Sequence, residues 1–234
     1  MDLKDTLNEA LKGRLRRFGS NIQTKEECKY FPKERHELEE IIEQRVKEDL
    51  NCDLNDIWVG DITDMSYLFE QSSFNGDISG WNVGNVKDMS YMFSTSKFNG
   101  DISSWDVSNV INMNSMFEHS AFNDDISSWD VGNVKNMSWM FFKCDFDGDI
   151  SKWDVSSVES TRGMFYYCPF NGNLSKWDVR NVKDIHAMFY GSKFNGDISR
   201  WDVGNVIHMD IVFDECPLEK NPPKWYKEWH KAHQ

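Results

Sequence analysis

The chain has 234 residues, of which 39% are hydrophobic and 14% aromatic, and a formal net charge of −13. That apolar content suffices for a folded protein and excludes a disordered one. The acidic balance argues against nucleic acid and anionic lipid as partners and favours a basic protein partner, and no stretch is long and apolar enough to span a membrane.

Residues 2–18 read as a helix. Leu3, Leu7, Leu11 and Leu15 form one stripe, Arg14, Arg16 and Arg17 suit the negative end of the helix dipole, and Gly19 is a stop. No apolar run in this stretch suits a secretory signal, so the sequence as given reads as cytoplasmic. Residues 20–31 read as loop. Pro32 then opens a second helix over 33–49, in which Leu38, Ile41, Ile42 and Val46 follow the helical period.

From residue 50 the chain repeats itself. Phe74, Phe98, Phe122, Phe146, Phe170 and Phe194 each open a unit of 24 residues, and a degenerate copy begins at Leu50, making seven units over 50–217. A fixed period of this length means stacked units, each burying its apolar side against its neighbours, with a cap at the exposed end; the second helix is placed to be the first cap. The fifth, tenth, thirteenth and twentieth columns are apolar and point inward. Within one unit, GDIS reads as a short strand. NVKDMSYMF reads as one or two helical turns, because Val86, Met89 and Phe93 are three and four apart, with the Asn or Asp of the twelfth column as N-cap.

Three polar or amphipathic columns invite explanation. The eighth holds Trp81, Trp105, Trp129, Trp153, Trp177 and Trp201; lying between apolar columns, these indoles are expected in the core rather than at a ligand. The second holds Asn in six units, and a stacked Asn can bond the backbone of the next turn. The fourth holds Asp in six units, and like charges one strand apart need compensation from backbone N–H groups at a turn, from solvent or from calcium. Cys144, Cys168 and Cys216 share a column with serines, and five cysteines without paired spacing do not read as a disulfide framework. The tail from Leu218 leaves the repeat at Pro222 and Pro223 and reads as the second cap, with Trp225, Tyr226 and Trp229 as apolar cover.

The pattern FN-x-DIS-x-W-DV-x-NV-x-x-M-x-x-MF resembles the BspA-like, mycoplasma-lipoprotein-type repeat of many bacterial surface proteins, over about residues 32–217. That resemblance implies an α/β, leucine-rich-repeat-like solenoid with N-terminal helices, short strands on one side and short helices or turns on the other. It gives three parts: a helical head and cap at 1–49, the seven-unit solenoid at 50–217 and a C-terminal cap at 218–234. It also implies binding or adhesion rather than catalysis, and cell-surface or secreted relatives.

No HExxH, G-x-S-x-G or phosphate-binding glycine loop is present. The expectation is therefore a non-enzymatic protein-binding module that needs no cofactor and no metal, the alternatives being a self-assembling homo-oligomer or a calcium-binding solenoid. The candidate site comes from columns that vary. Trp139 stands in the eighteenth column, where nearby units carry Ser115, Gly163 and Ala187. Phe142, Tyr166 and Tyr190 stand in the twenty-first and Tyr167 in the twenty-second, where other units carry residues such as Ser, Gly, Glu, Asp, Thr or Gln. Aromatics that the fold does not demand, gathered over three neighbouring units, mark a contact surface.

Overall fold

A computed structural model describes residues 23–232. The helix expected over 2–18 lies outside the described residues.

Within 50–217 the hydrogen-bond pattern recurs every 24 residues. Parallel bridges join the fifteenth residue of one unit to that of the next, from Asp64–Asp88 through Asp88–Asn112 to Asp184–His208. Beyond each bridge, alternate N–H groups point to the following unit: Met89 donates to Asn112, Tyr91 to Asn114, Phe93 to Met116 and Thr95 to Glu118, at 2.6–2.9 Å. The N–H groups between them fold back on their own unit, Met92 to Met89, Ser94 to Tyr91 and Ser96 to Phe93, at 3.0–3.2 Å. The eighteenth and twenty-second residues carry positive φ in all seven units, for example Tyr91 at 57° and Thr95 at 55°. The segment is thus a run of overlapping four-residue turns: Met89–Met92 and Phe93–Ser96 have the left-handed third residue of a type II turn, and the turn Tyr91–Ser94 between them begins on a left-handed residue.

This differs from the helix expected over Val86–Phe93. A helix sends every interior N–H to its own i−4 carbonyl; here alternate donors leave the unit and stitch it to its neighbour. Successive turns of four residues place Met89 and Phe93 on one side as a helix would, so the spacing alone cannot separate the two. Among the described residues helices occur only in the flanks, α1 at Arg35–Glu48 and α2 at Lys224–Ala232, with 3₁₀ turns at Lys25–Glu27 and Pro217–Lys220. Nor does GDIS form a strand ladder: one isolated bridge, Asp53–Asp77, joins that part of the unit. The twelfth-column Asn is not an N-cap either. Its Nδ2 donates to a carbonyl of the preceding unit, Asn85 to Gly60 and Asn109 to Gly84, both at 2.7 Å.

The other polar columns also serve the backbone. Asn75 Oδ1 accepts the N–H of Asn99, and Asn99 Oδ1 that of Asn123, at 2.8 Å. Each unit has a turn closed by an Asp or Asn two residues back, as at Asp77–Ser79, Asp106–Ser108 and Asp88–Ser90. The N–H groups of Ser127, Ser151 and Ser199, and then their hydroxyls, hold Asp125, Asp149 and Asp197 below the usual carboxylate pKa. Turn geometry therefore supplies the compensation that the Asp column needs, and among the described residues no group of three His, Cys, Asp or Glu is placed to share a metal ion. Cys144 and Cys168 also serve the backbone, their thiols donating to the Phe122 and Phe146 carbonyls at 3.2 and 3.1 Å. Burial pushes the Cys144 pKa up to about 11.

The core is a set of ladders rather than a centre. Phe93, Phe117, Phe141 and Phe165 stack at 5.7–5.8 Å, and the first-column rings Phe146, Phe170 and Phe194 at 6.3 Å. All six column-eight indoles are buried. Each Nε1 donates to a carbonyl 27 residues back, as Trp105 to Ile78 at 3.1 Å and Trp129 to Ile102 at 3.0 Å. Trp225 of the tail makes the same bond to Ile198 at 3.0 Å and stacks on Trp201 at 6.4 Å. The tail therefore keeps the register for one more rung before α2 turns away, which the Pro222–Pro223 break concealed. At the other end Leu38 and Ile42 of α1 join the same core, while Arg45 donates to the Asp53 carbonyl at 2.8 Å and pairs with Asp56 at 3.0 Å.

Twelve non-glycine residues hold the left-handed positions. For a β-branched side chain this conformation is costly, of order 1–2 kcal/mol, and Asn bears it better. Thr95→Asn is therefore expected to stabilise the chain by about 1 kcal/mol and to raise the thermal midpoint by about 2–4 °C; a lower midpoint would show that Thr95 is not strained.

Candidate functional site

The turn segments that stitch the units place the eighteenth, twenty-first and twenty-second residues on one outer face. On it the five aromatics meet. Tyr166 stacks on Tyr190 with centroids 4.7 Å apart and lies 5.0 Å from Phe142, so the twenty-first column is a row of rings. Trp139 stands edge-on to Phe142 at 5.3 Å and to Tyr166 at 5.9 Å. Tyr167 does the same on the other flank, 5.0 Å from Tyr166 and 5.5 Å from Tyr190. Tyr167 is 44% exposed and the other four are half-buried. His119 extends the row, edge-on to Phe142 at 4.9 Å.

Two glycines make room for the flanking rings. A Cβ on Gly163 would collide with carbons of the Trp139 ring, and a Cβ on Gly191 would lie 2.5 Å from carbons of the Tyr167 ring, both too close to be accommodated. Each glycine occupies the same column as its aromatic, one unit later, so each ring lies over the next unit in the place of the missing side chain. Both glycines also hold left-handed φ, at 58° and 63°. The pairing Trp139/Gly163 and Tyr167/Gly191 is visible once the units are aligned.

Polar groups pin the face. The Tyr167 and Tyr190 hydroxyls both donate to the Glu215 carboxylate, tying three units together. Those bonds to Glu215 raise the pKa of both tyrosines, and the same bonds, Tyr167 first, lower that of Glu215. Lys143 Nζ sits over the Phe142 ring at 5.3 Å and near that of Tyr167 at 6.0 Å; Arg162 lies over Trp139 at 5.9 Å and pairs with Asp184 at 3.3 Å. Burial, and then Arg162, lower the pKa of the neighbouring His186. The cations resting on the rings, and Glu215 below them, are not distinguishable from ordinary surface charge in the sequence.

A Mycoplasma protein family of unknown function, DUF285, matches the chain twice, over residues 37–145 and 118–226. The chain belongs to this family. Its matched spans run from α1 to the start of α2 and include every residue of the aromatic face. No curated protein and no solved structure matches this DUF285 chain.

Proposed function

We propose that this DUF285 chain is a non-enzymatic binding module. In this reading the seven units wind as a solenoid of BspA-like type, residues 1–49 and 218–234 cap its apolar core, and the module acts by protein–protein contact or adhesion. The observation that carries it is the aromatic face. Trp139, Phe142, Tyr166, Tyr167 and Tyr190 form one contiguous set of rings, two of them seated on glycines that leave space for nothing else. Pre-organised, half-exposed aromatics lose little conformational entropy on binding, and such anchors dominate interface energies. Lys143 and Arg162, held against the rings, add hydrogen-bond donors at the rim.

The test is the pair Phe142→Ser with Tyr166→Ser in the full chain. Ser occupies the twenty-first column of the second unit at Ser94, so the turn accepts it. The thermal midpoint is expected to fall by a few degrees at most, while retention of a protein partner by the immobilised chain weakens by about tenfold or more. Undiminished retention would place the contact elsewhere, and outright unfolding would make the rings core. The alternative, a self-assembling structural repeat, is favoured by different residues at the two ends of the array.

A further inference from the structure

Every interior unit gives four N–H donors to the next unit and receives four from the one before. At the outer edges of the first and last units three of those four groups stay open. In the first unit the carbonyls of Asp64, Leu68 and Glu70 meet no donor among the described residues, and that of Ser66 is taken by Arg35 at 2.6 Å. In the last, the N–H groups of Met209, Ile211 and Phe213 meet no acceptor among the described residues, and that of Glu215 is taken by the Glu219 side chain at 3.1 Å. An open edge of this kind is a template for another chain.

The apolar surface and the charge at the two ends match. α1 does not fill the space beside the first unit: a groove of about 430 Å³ remains, floored by Ile42, Val46, Leu50 and Leu68 and rimmed by Glu39, Glu43 and Glu70 with Lys47. Beside it Tyr67 is 46% exposed. The last unit presents Ile207, 66% exposed, and Ile211, 37% exposed. The tail behind them carries the exposed Lys220, Lys224, Lys227 and Lys231. So an apolar, donor-bearing end with a basic tail, and with Asp210 and Glu215 beside Ile211, faces an apolar, acceptor-bearing, acidic start.

We infer that copies of this chain associate head to tail, the last unit of one against the first unit of the next. Tyr67 and Ile211 occupy the same eighteenth column, so the junction joins the two turn edges beside the rung that Trp225 and Tyr226 already fill over Trp201 and Phe213; Tyr67 stacks on Tyr91 within the array in the same way, with rings 4.7 Å apart. The contact is heterologous and does not close on itself, so it builds open chains. Arg35 and Glu219 compete for two of the four backbone pairs, which keeps the association reversible. The charged rims make it weaken with salt.

Sedimentation velocity of the full chain over a range of concentrations tests this. The weight-average mass is expected to rise with concentration at low salt and fall when salt is added. Tyr67→Lys and Ile211→Lys should each weaken growth by about tenfold or more, and both leave the fold intact because Lys143 already occupies a left-handed turn position at φ 49°. Ile207→Lys, which involves no left-handed residue, is the second variant for the far end. A mixture of the Tyr67→Lys and Ile211→Lys chains should give one-to-one dimers and nothing larger, since one good start and one good end remain. A monomer at all concentrations overturns the inference, and so does a symmetric dimer that survives both changes. Assembly lost with Phe142→Ser and Tyr166→Ser, but not with Tyr67→Lys, would move the self-contact to the aromatic face and overturn it too.

Discussion

Trp129→Ala is expected to destabilise the protein by about 3–5 kcal/mol, the range for removing a buried Trp. The indole is buried, stacks on Trp153 at 6.5 Å and tilts against Phe117 at 6.5 Å. Its removal leaves a void in the middle of the ladder and strips the Ile102 carbonyl of its donor, a loss worth about 1–3 kcal/mol within that total. Because the core packing runs between neighbouring units, damage in the fourth unit also uncouples the two halves of the array. Urea unfolding followed by circular dichroism should show an earlier and broader transition. Trp129→Phe keeps most of the packing and loses only the hydrogen bond, so it should cost less than half as much. A change under 1 kcal/mol for the alanine variant would mean that the indole ladder does not hold the units together.

The second large effect is expected at Gly163. Gly163→Ala adds a methyl group that collides with carbons of the Trp139 ring at a residue with φ of 58°. The left-handed conformation accounts for about 1 kcal/mol; the overlap requires the indole to leave its seat and adds about 1–3 kcal/mol. The overlap part is removable. In a Trp139→Ser background the same change should cost only the conformational part, giving a coupling of about 1–3 kcal/mol in the double-mutant cycle. Ala187, which holds the same column one unit later at φ 54°, shows that alanine is compatible with the turn when no ring overlies it. Additive effects would mean that Trp139 does not rest on Gly163. The cycle also bears on function: a partner that needs the seated indole should be lost with Gly163→Ala even though no aromatic has been touched.

Periodicity and burial were legible in the residues. The 24-residue period, the inward columns, the buried indoles and a helix ahead of the array follow from which residue types recur and at what spacing, since an apolar column in a stack has nowhere to go but inward. Phe142, Tyr166, Tyr167 and Tyr190 could be picked out because they depart from columns that are mostly polar in other units; Trp139 stands out less, since its column also holds Tyr67 and Tyr91.

Other features depended on where hydrogen bonds go, and residue types do not specify that. A helix and a run of four-residue turns place the same side chains inward. The choice between them lies with alternate N–H groups such as those of Tyr91 and Phe93, which find acceptors in the next unit rather than in their own. The Asp columns looked like uncompensated charge until their backbone donors were located. Trp225 stands 24 residues after Trp201, but only its bond to the Ile198 carbonyl makes it a rung. Likewise, Lys143, Arg162 and Glu215 become part of the aromatic face only through contacts between units, because residues in different columns are brought together by the winding of the chain and not by their spacing along it.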